Sequence, residues 1–217
     1  MKKLVIFDLD GTLLNTIEDI RRMLNMVITK YGYKALNSQE TLKCVGYGAR
    51  ALVEKATQIS DQEKVDKMFN ELVPIMRDCD NSLTFLYDGL DGALKSLKSL
   101  GYKLAIVSNK PDVATQVIVG QKLKDYGFDF VTGNKPGVFT PKPDKSCVEY
   151  CLNTLGVAKE DAVFVGDSEV DVKTFINASI EGIGVTWGFR PKNLLVEAGC
   201  KHFANTAEEL VEIIKSL

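Results

Sequence analysis

The stretch Leu4-Val5-Ile6-Phe7-Asp8-Leu9-Asp10-Gly11-Thr12-Leu13 decides how the chain is read. Its four consecutive apolar residues, with no polar alternation, describe a strand buried on both faces, as in a parallel sheet. The strand runs straight into two carboxylates, Asp8 and Asp10, and a glycine. In an open α/β sheet the carboxyl ends of the strands are where ligands bind. On an extended chain, residues two apart point to the same side. Two like charges held there repel unless a cation lies between them or one is protonated. An ordinary Asp-Gly turn also produces this pattern. An EF-hand loop does not, because no further acidic ligands follow Gly11 at the required spacing. What lies downstream separates the turn from the ligand site.

With 217 residues, the chain is long enough for one or two domains and a sizeable core. Its 45% hydrophobic and 26% charged residues are the composition of a soluble globular protein. The net charge of −2 gives no electrostatic basis for binding nucleic acid or an acidic membrane surface. Five cysteines, odd in number and without a Cys-x-x-Cys, specify neither a disulfide framework nor a zinc site. Cys147 and Cys151 read as buried thiols one helical turn apart. Met1-Lys2-Lys3 imitates the start of a secretory signal, but Asp8 cuts the apolar run far short of one. No stretch approaches the ~20 apolar residues of a membrane span, and a cytoplasmic protein is expected.

Asn15-Thr16 reads as an N-cap for an amphipathic helix to about Lys30, with Ile17, Ile20, Leu24, Val27 and Ile28 on one face. Ser38 opens a short helix, Gly46-Tyr47-Gly48 interrupts, and a helix resumes from Ala49 to Thr57. Ser60-Asp61-Gln62-Glu63 reads as a capping box for a helix reaching Arg77, kinked at Pro74. The chain is thus helical, without a strand, from 15 to about 83. Beyond Asp88 it alternates: helix 89–100, strand 103–107, helix 112–124, an apolar run at 128–131 and helix 144–155. Strand 162–165, helix 169–178, strand 180–185 and a final capped helix from Thr206 complete it. Such alternation predicts a parallel sheet covered on both faces. A parallel crossover needs little more than one helix, so residues 15–83 are too long to be one. They read as an inserted α-helical domain, and residues 1–14 with 84–217 as the α/β core. Both ends of the insertion leave the carboxyl edge of the sheet over Asp8.

Three later stretches answer the two carboxylates. Strand 103–107 ends in Ser108-Asn109-Lys110-Pro111, which brings a hydroxyl and the N–H groups of a helix start to the same edge, where an anion is favoured. Strand 162–165 ends in Gly166-Asp167-Ser168-Glu169-Val170-Asp171 and adds acids. Lys142-Pro143, at the start of a helix, presents an ammonium group. Singly, Ser108 is a helix cap, Lys142 a surface lysine and Asp171 the capping-box partner of Ser168. Structure alone does not explain the set.

With these residues in this order, the sequence resembles the haloacid dehalogenase superfamily along its whole length. The four signatures are Asp8-Leu9-Asp10-Gly11-Thr12-Leu13, Ser108-Asn109, Lys142 and Gly166-Asp167-x-x-x-Asp171, and the helical insertion occupies the position of that family's cap. Gly46-x-Gly48, Ser108-Asn109-Lys110 and Thr186-Trp187-Gly188 are similar to its phosphoglycolate phosphatase-like branch. The resemblance implies a doubly wound parallel sheet with an α-helical cap, and hydrolysis of a small phosphorylated metabolite through an aspartyl-phosphate. Asp8 would be the nucleophile and Asp10 the general acid–base, with Ser108 and Lys142 stabilising the phosphoryl oxygens. Mg2+ would be held by Asp8, the Asp10 carbonyl and Asp167. Gly166, Ser168 and Asp171 would support the site, Asp171 orienting either Lys142 or a metal-bound water. Asn109, Lys110 and Gly46 would contact substrate. Apart from the resemblance, Gly46-Tyr47-Gly48-Ala49-Arg50 combines a flexible break with a cation at a helix start; it reads either as an interhelical turn with a solvated arginine or as the place where Arg50 grips the distal anionic group of the substrate. The protein is expected to act as a monomer or homodimer. A phosphomutase, phosphotransferase or pyrophosphatase on the same scaffold is the enzymatic alternative. A receiver-like, phosphorylation-regulated binding module is the non-enzymatic one.

Overall fold

The computed structural model describes residues 2–217. Its first half contains β1 (Leu4–Phe7), β2 (Leu14–Asn15), α1 (Ile17–Ile28), α2 (Ser38–Leu42), α3 (Gly48–Thr57), α4 (Gln62–Arg77), β3 (Phe85–Leu86) and α5 (Leu90–Ser99). There follow β4 (Lys103–Pro111), α6 (Asp112–Lys122), β5 (Phe130–Asn134), α7 (Ser146–Leu155), β6 (Ala162–Gly166) and α8 (Glu169–Ala178). The chain closes with β7 (Glu181–Val185), α9 (Lys192–Glu197), β8 (His202–Ala204) and α10 (Ala207–Ser216).

The sheet order is β5-β4-β1-β6-β7-β8, and every neighbouring pair is parallel. β1 lies between β4 and β6, with Val5 opposite Leu104 and Val163, and Phe7 opposite Ile106 and Val165. Its side chains alternate between two cores. Val5 and Phe7 pack with α5, α6 and α10; Leu4 and Ile6 pack on the other face with α7 and α8. Burying each such side chain contributes about 1.5–3 kcal/mol, so the strand that ends in Asp8 is firmly held. From β1 the chain builds outward through β4 and β5, then returns to β6 on the opposite side. Asp8 therefore stands at the crevice where the strand order reverses, the ligand position of doubly wound sheets.

The helices α1, α3 and α4 enclose a third core around Leu24, Val27, Leu52, Val53, Met68 and Leu72, and Ala114 of α6 belongs to the same cluster. The segment leaves and rejoins the α/β layer through an antiparallel ladder, Leu14 opposite Leu86 and Asn15 opposite Phe85. The sequence reading has no strand there, because two residues carry no periodicity. α2 opens at Ser38 as expected, capped by Asn37 in a box with Glu40. Two cap assignments shift. Asp61, not Ser60, caps α4, which runs through Pro74 to Arg77. Thr16 precedes α1 without a side-chain cap bond, since its hydroxyl is engaged elsewhere. All five cysteines are unpaired and buried. Burial pushes the Cys147 thiol up to about 11 and the Cys151 thiol up to about 12, so both stay protonated and inert. Among the described residues no helix is long and apolar enough to cross a membrane.

Candidate active site

The carboxyl ends of β1, β4 and β6 converge. The Asp8 N–H donates to the Val165 carbonyl at 2.9 Å, which keeps Asp8 in register beside β6. Lys142 Nζ lies 2.7 Å from Asp8 Oδ1 and 2.7 Å from Asp171 Oδ1, with 2% of its side chain exposed. The other Asp171 oxygen accepts from the Ser168 N–H at 3.1 Å and the Ser168 hydroxyl at 2.6 Å, closing the capping box of α8. Asp171 is thus engaged on Lys142 with one oxygen and on its helix start with the other. Gly166 makes this possible: a Cβ there would collide with the Asp171 side chain.

Asp10 has a cation of its own. Its Oδ1 accepts from the Thr16 hydroxyl at 2.6 Å and from Lys110 Nζ at 3.1 Å, and Lys110 Nζ is 3.4 Å from Oδ2. The repulsion implied by the Asp-x-Asp spacing is therefore relieved by two lysines, one per carboxylate. β4 extends to Pro111, past the expected end at 107, and carries Ser108, Asn109 and Lys110 along the edge as buried residues.

Asp167 sits below the loop that follows β1. Its Oδ1 accepts from the Thr12 hydroxyl at 3.0 Å and its Oδ2 from the Phe189 N–H at 2.7 Å. Gly11, at φ 92°, leaves the room for this carboxylate that a Cβ would take. Carboxylate oxygens of Asp8, Asp167 and Asp171 lie within 4.8 Å of one another. Burial holds the Asp8 carboxyl well above the usual range, although Lys142 pulls the other way. Burial, with the charge of Asp171, pushes Asp167 up to about 7. Burial works against the Lys142 ammonium, yet Asp171 and Asp8 outweigh it and raise its pKa. A buried set of hard oxygen donors with more negative charge than one ammonium neutralises fits a small divalent cation such as Mg2+.

That fit has a measurable consequence. The folded pKa of Asp167, about 7, is above the ordinary 3.8. The native state then binds the proton more tightly, and the contribution of this group to stability falls as pH rises from about 4 to about 7. A cation that holds the carboxylates ionised should therefore raise the Tm more at pH 8 than at pH 5.5. Thermal unfolding with and without Mg2+ at both pH values checks this. An equal shift at both would contradict it.

Asn109 joins the layers. Its Oδ1 accepts from the Lys142 N–H at 2.8 Å, while its Nδ2 donates to the Lys142 carbonyl at 2.9 Å and the Gly46 carbonyl at 3.0 Å. Gly48, at φ 88°, approaches so closely that a Cβ would lie 2.9 Å from the Asn109 carbonyl oxygen. Arg190, after β7, donates to the Leu42 and Val45 carbonyls at 2.6 Å each. Between the layers remains a cavity of about 50 Å3. Asp8, Asp10, Ser108, Asn109, Lys110 and Lys142 line it on the sheet side, and Ile20, Val45, Gly46, Gly48, Ala49, Leu52 and Met76, from the helices and the loop before α3, on the other.

Arg50 is not brought to this cavity, contrary to expectation. One residue past Ala49, it is turned to another face of α3. There its guanidinium is held by Glu54, by Asp66 at 2.9 Å and by Gln62 at 2.6 Å. The sequence reading also missed Thr12, Thr16 and Arg190 as members of the site. Thr12 and Thr16 flank the signature and were legible as nearby hydroxyls; Arg190 carries no signal in the sequence.

The profile of the haloacid dehalogenase-like hydrolases matches residues 5–185, a span that includes every residue placed in the site except Phe189 and Arg190. A phosphoglycolate phosphatase of Colwellia psychrerythraea is 30% identical over 99% of this chain and 97% of its own length. Another, of Psychrobacter arcticus, is 31% identical over 87% and 85%. The solved structure of a candidate phosphoglycolate phosphatase from Lactobacillus delbrueckii subsp. bulgaricus matches with a TM-score of 0.87 at 32% identity, covering 99% of both chains. The converging strand ends, the paired lysines and these likenesses agree: the chain belongs to the haloacid dehalogenase-like hydrolases, within their phosphoglycolate phosphatase-like branch.

Proposed function

We propose that this haloacid dehalogenase-like phosphatase hydrolyses a small phosphomonoester of the phosphoglycolate class, with Mg2+, through an aspartyl-phosphate on Asp8. The observation that carries the reading is the Asp8 carboxylate itself: it lines the cavity beside Asp10, with Lys142 at 2.7 Å. An Asp8 oxygen attacks phosphorus, the bond from phosphorus to the ester oxygen breaks, and Asp10, in its protonated form, gives its proton to that oxygen. Water then attacks the aspartyl-phosphate while Asp10 takes up its proton, which returns both carboxyls to their starting states. Thr16 and Lys110 hold Asp10 in place for both transfers. An acid at this position suits an alkoxide leaving group; a halide needs no proton.

The Lys142 ammonium, the Ser108 hydroxyl and the Asn109 N–H stabilise the transferring phosphoryl oxygens. Asp8, Asp167 and the Asp10 carbonyl would hold Mg2+, which when bound offsets the crowded negative charge and lets an anionic nucleophile approach an anionic phosphate. Residues 15–83 act as the cap domain, covering the reaction and limiting the access of bulk water. The small cavity between the layers supports a small leaving group. A panel of phosphorylated metabolites tests the reading. The highest kcat/KM is expected for such a small ester, and exhaustive chelation should abolish turnover. Mg2+ should restore it and Ca2+, which prefers more and longer ligand bonds, should not. Turnover that survives chelation would count against the assigned site.

A further inference from the structure

We infer that Lys110, helped by the first turn of α3, reads an anionic group on the leaving portion of the substrate, and that Arg50 takes no part; this rests on the phosphomonoester reading above. A leaving group bound beside Asp8 meets the lining of this cavity. The side chains that the helical segment contributes there, Ile20, Val45, Leu52 and Met76 among them, are apolar and cannot pair a carboxylate. An anion desolvated against them without a partner is strongly disfavoured.

Two cations reach the cavity. Lys142 is committed to Asp8 and Asp171 at 2.7 Å each. Lys110 is different. Its ammonium has three donors, yet both of its contacts are to the single carboxylate of Asp10. With 3% of its side chain exposed, it finds no further acceptor among the surrounding side chains. A buried polar group with unused donors calls for a partner, and the cavity is where the partner would sit.

The helices add a second element. α3 starts at the cavity, with Gly48 and Ala49 in its wall, and its N-cap residue Tyr47 makes no side-chain cap bond. The first N–H groups of a helix that lack a cap favour an anion. A group held between Lys110 and this turn also fixes the ester oxygen relative to Asp10, because Lys110 grips Asp10 as well. Recognition of the distal anion and proton delivery then share one lysine, and the helical layer contributes backbone instead of an arginine.

The test compares phosphoglycolate with its neutral isostere, the amide of phosphoglycolate, on wild-type protein and on Lys110→Met, Lys110→Gln and Arg50→Ala. Wild type should prefer the carboxylate at least ~10-fold in kcat/KM, the size of one charge-assisted hydrogen bond. Both Lys110 variants should bring the ratio to within about threefold of unity. Lys110→Gln, which keeps a hydrogen-bond donor for Asp10, guards against a loss of folding in Lys110→Met. Arg50→Ala should keep the wild-type ratio. Equal losses on both substrates would reduce Lys110 to a positioning residue for Asp10, and a ratio lost only in Arg50→Ala would overturn the inference. If wild type hydrolyses other small phosphate esters but shows no preference for the carboxylate, the inference fails and the phosphatase reading stands. If it hydrolyses no phosphate ester with Mg2+, the phosphatase reading fails first.

Discussion

Asp8→Asn should lower turnover by on the order of 10⁴-fold or more, while the protein stays folded and is at least as stable as wild type at pH 8. The two halves of this result have one cause. Asp8 is buried among Asp167 and Asp171, and burial holds its carboxyl well above the usual range. A raised acid pKa means that the ionised group costs stability once pH exceeds the folded value. Asparagine has the same shape and no charge, so that cost disappears. Lys142 keeps Asp171 at 2.7 Å and is not stranded. The amide, however, cannot form an acyl phosphate and return. Steady-state assays and thermal unfolding at pH 8 check both halves. A variant that keeps more than about a tenth of the activity would contradict the nucleophile assignment.

Lys142→Met should have the opposite stability signature, a loss of about 3–5 kcal/mol together with the loss of measurable turnover. The ammonium is 2% exposed and lies 2.7 Å from two carboxylates. Its removal leaves Asp8, Asp167 and Asp171 facing one another without it. The deficit should depend on pH, and its sign follows from the groups. The Lys142 pKa is raised above that of an ordinary lysine, so its contribution in wild type is intact at neutral and acid pH. In the variant the carboxyls lose their counter-charge, and their pKa values climb further. The deficit is then largest near pH 8 and shrinks toward pH 5 as protons replace the missing cation. Mg2+ should recover part of it. Urea unfolding at the two pH values is the measurement, and a deficit independent of pH would speak for lost packing alone.

The sequence reading succeeds where one residue type does one physical job over several positions. Leu4 to Phe7 is an uninterrupted apolar run because both faces of β1 are covered. The span of α8, Glu169–Ala178, follows from Ser168 and Asp171 closing a capping box, a local pattern that the structure repeats. Lys142 was legible because it stands in order among the strand ends. The failures have equally specific causes. Charge and a flexible break point Arg50 toward the substrate, yet one step around α3 separates Ala49, which lines the cavity, from Arg50, which meets Glu54 and Asp66. Sequence spacing does not reveal which neighbouring carboxylates capture an arginine. Arg190 reaches back to Leu42 and Val45 across 148 and 145 residues, a contact with no local signature. Thr16 reads as a helix cap, but its hydroxyl bonds Asp10 instead, since a charged acceptor is stronger than a backbone partner. β8, the edge strand, and α9 are short elements, with too few residues for a period to emerge.

The central claim is that Asp8 carries the phosphoryl group between substrate and water. Rapid quenching of the Mg2+-loaded enzyme during turnover of a labelled phosphate ester, followed by borohydride reduction and peptide mapping, tests it most directly. An acyl phosphate is reduced to the alcohol, so residue 8 should be recovered as homoserine, with the modification absent from Asp10, Asp167 and Asp171. Label recovered on Ser108, or turnover with no reducible phosphoryl group at Asp8, would contradict it.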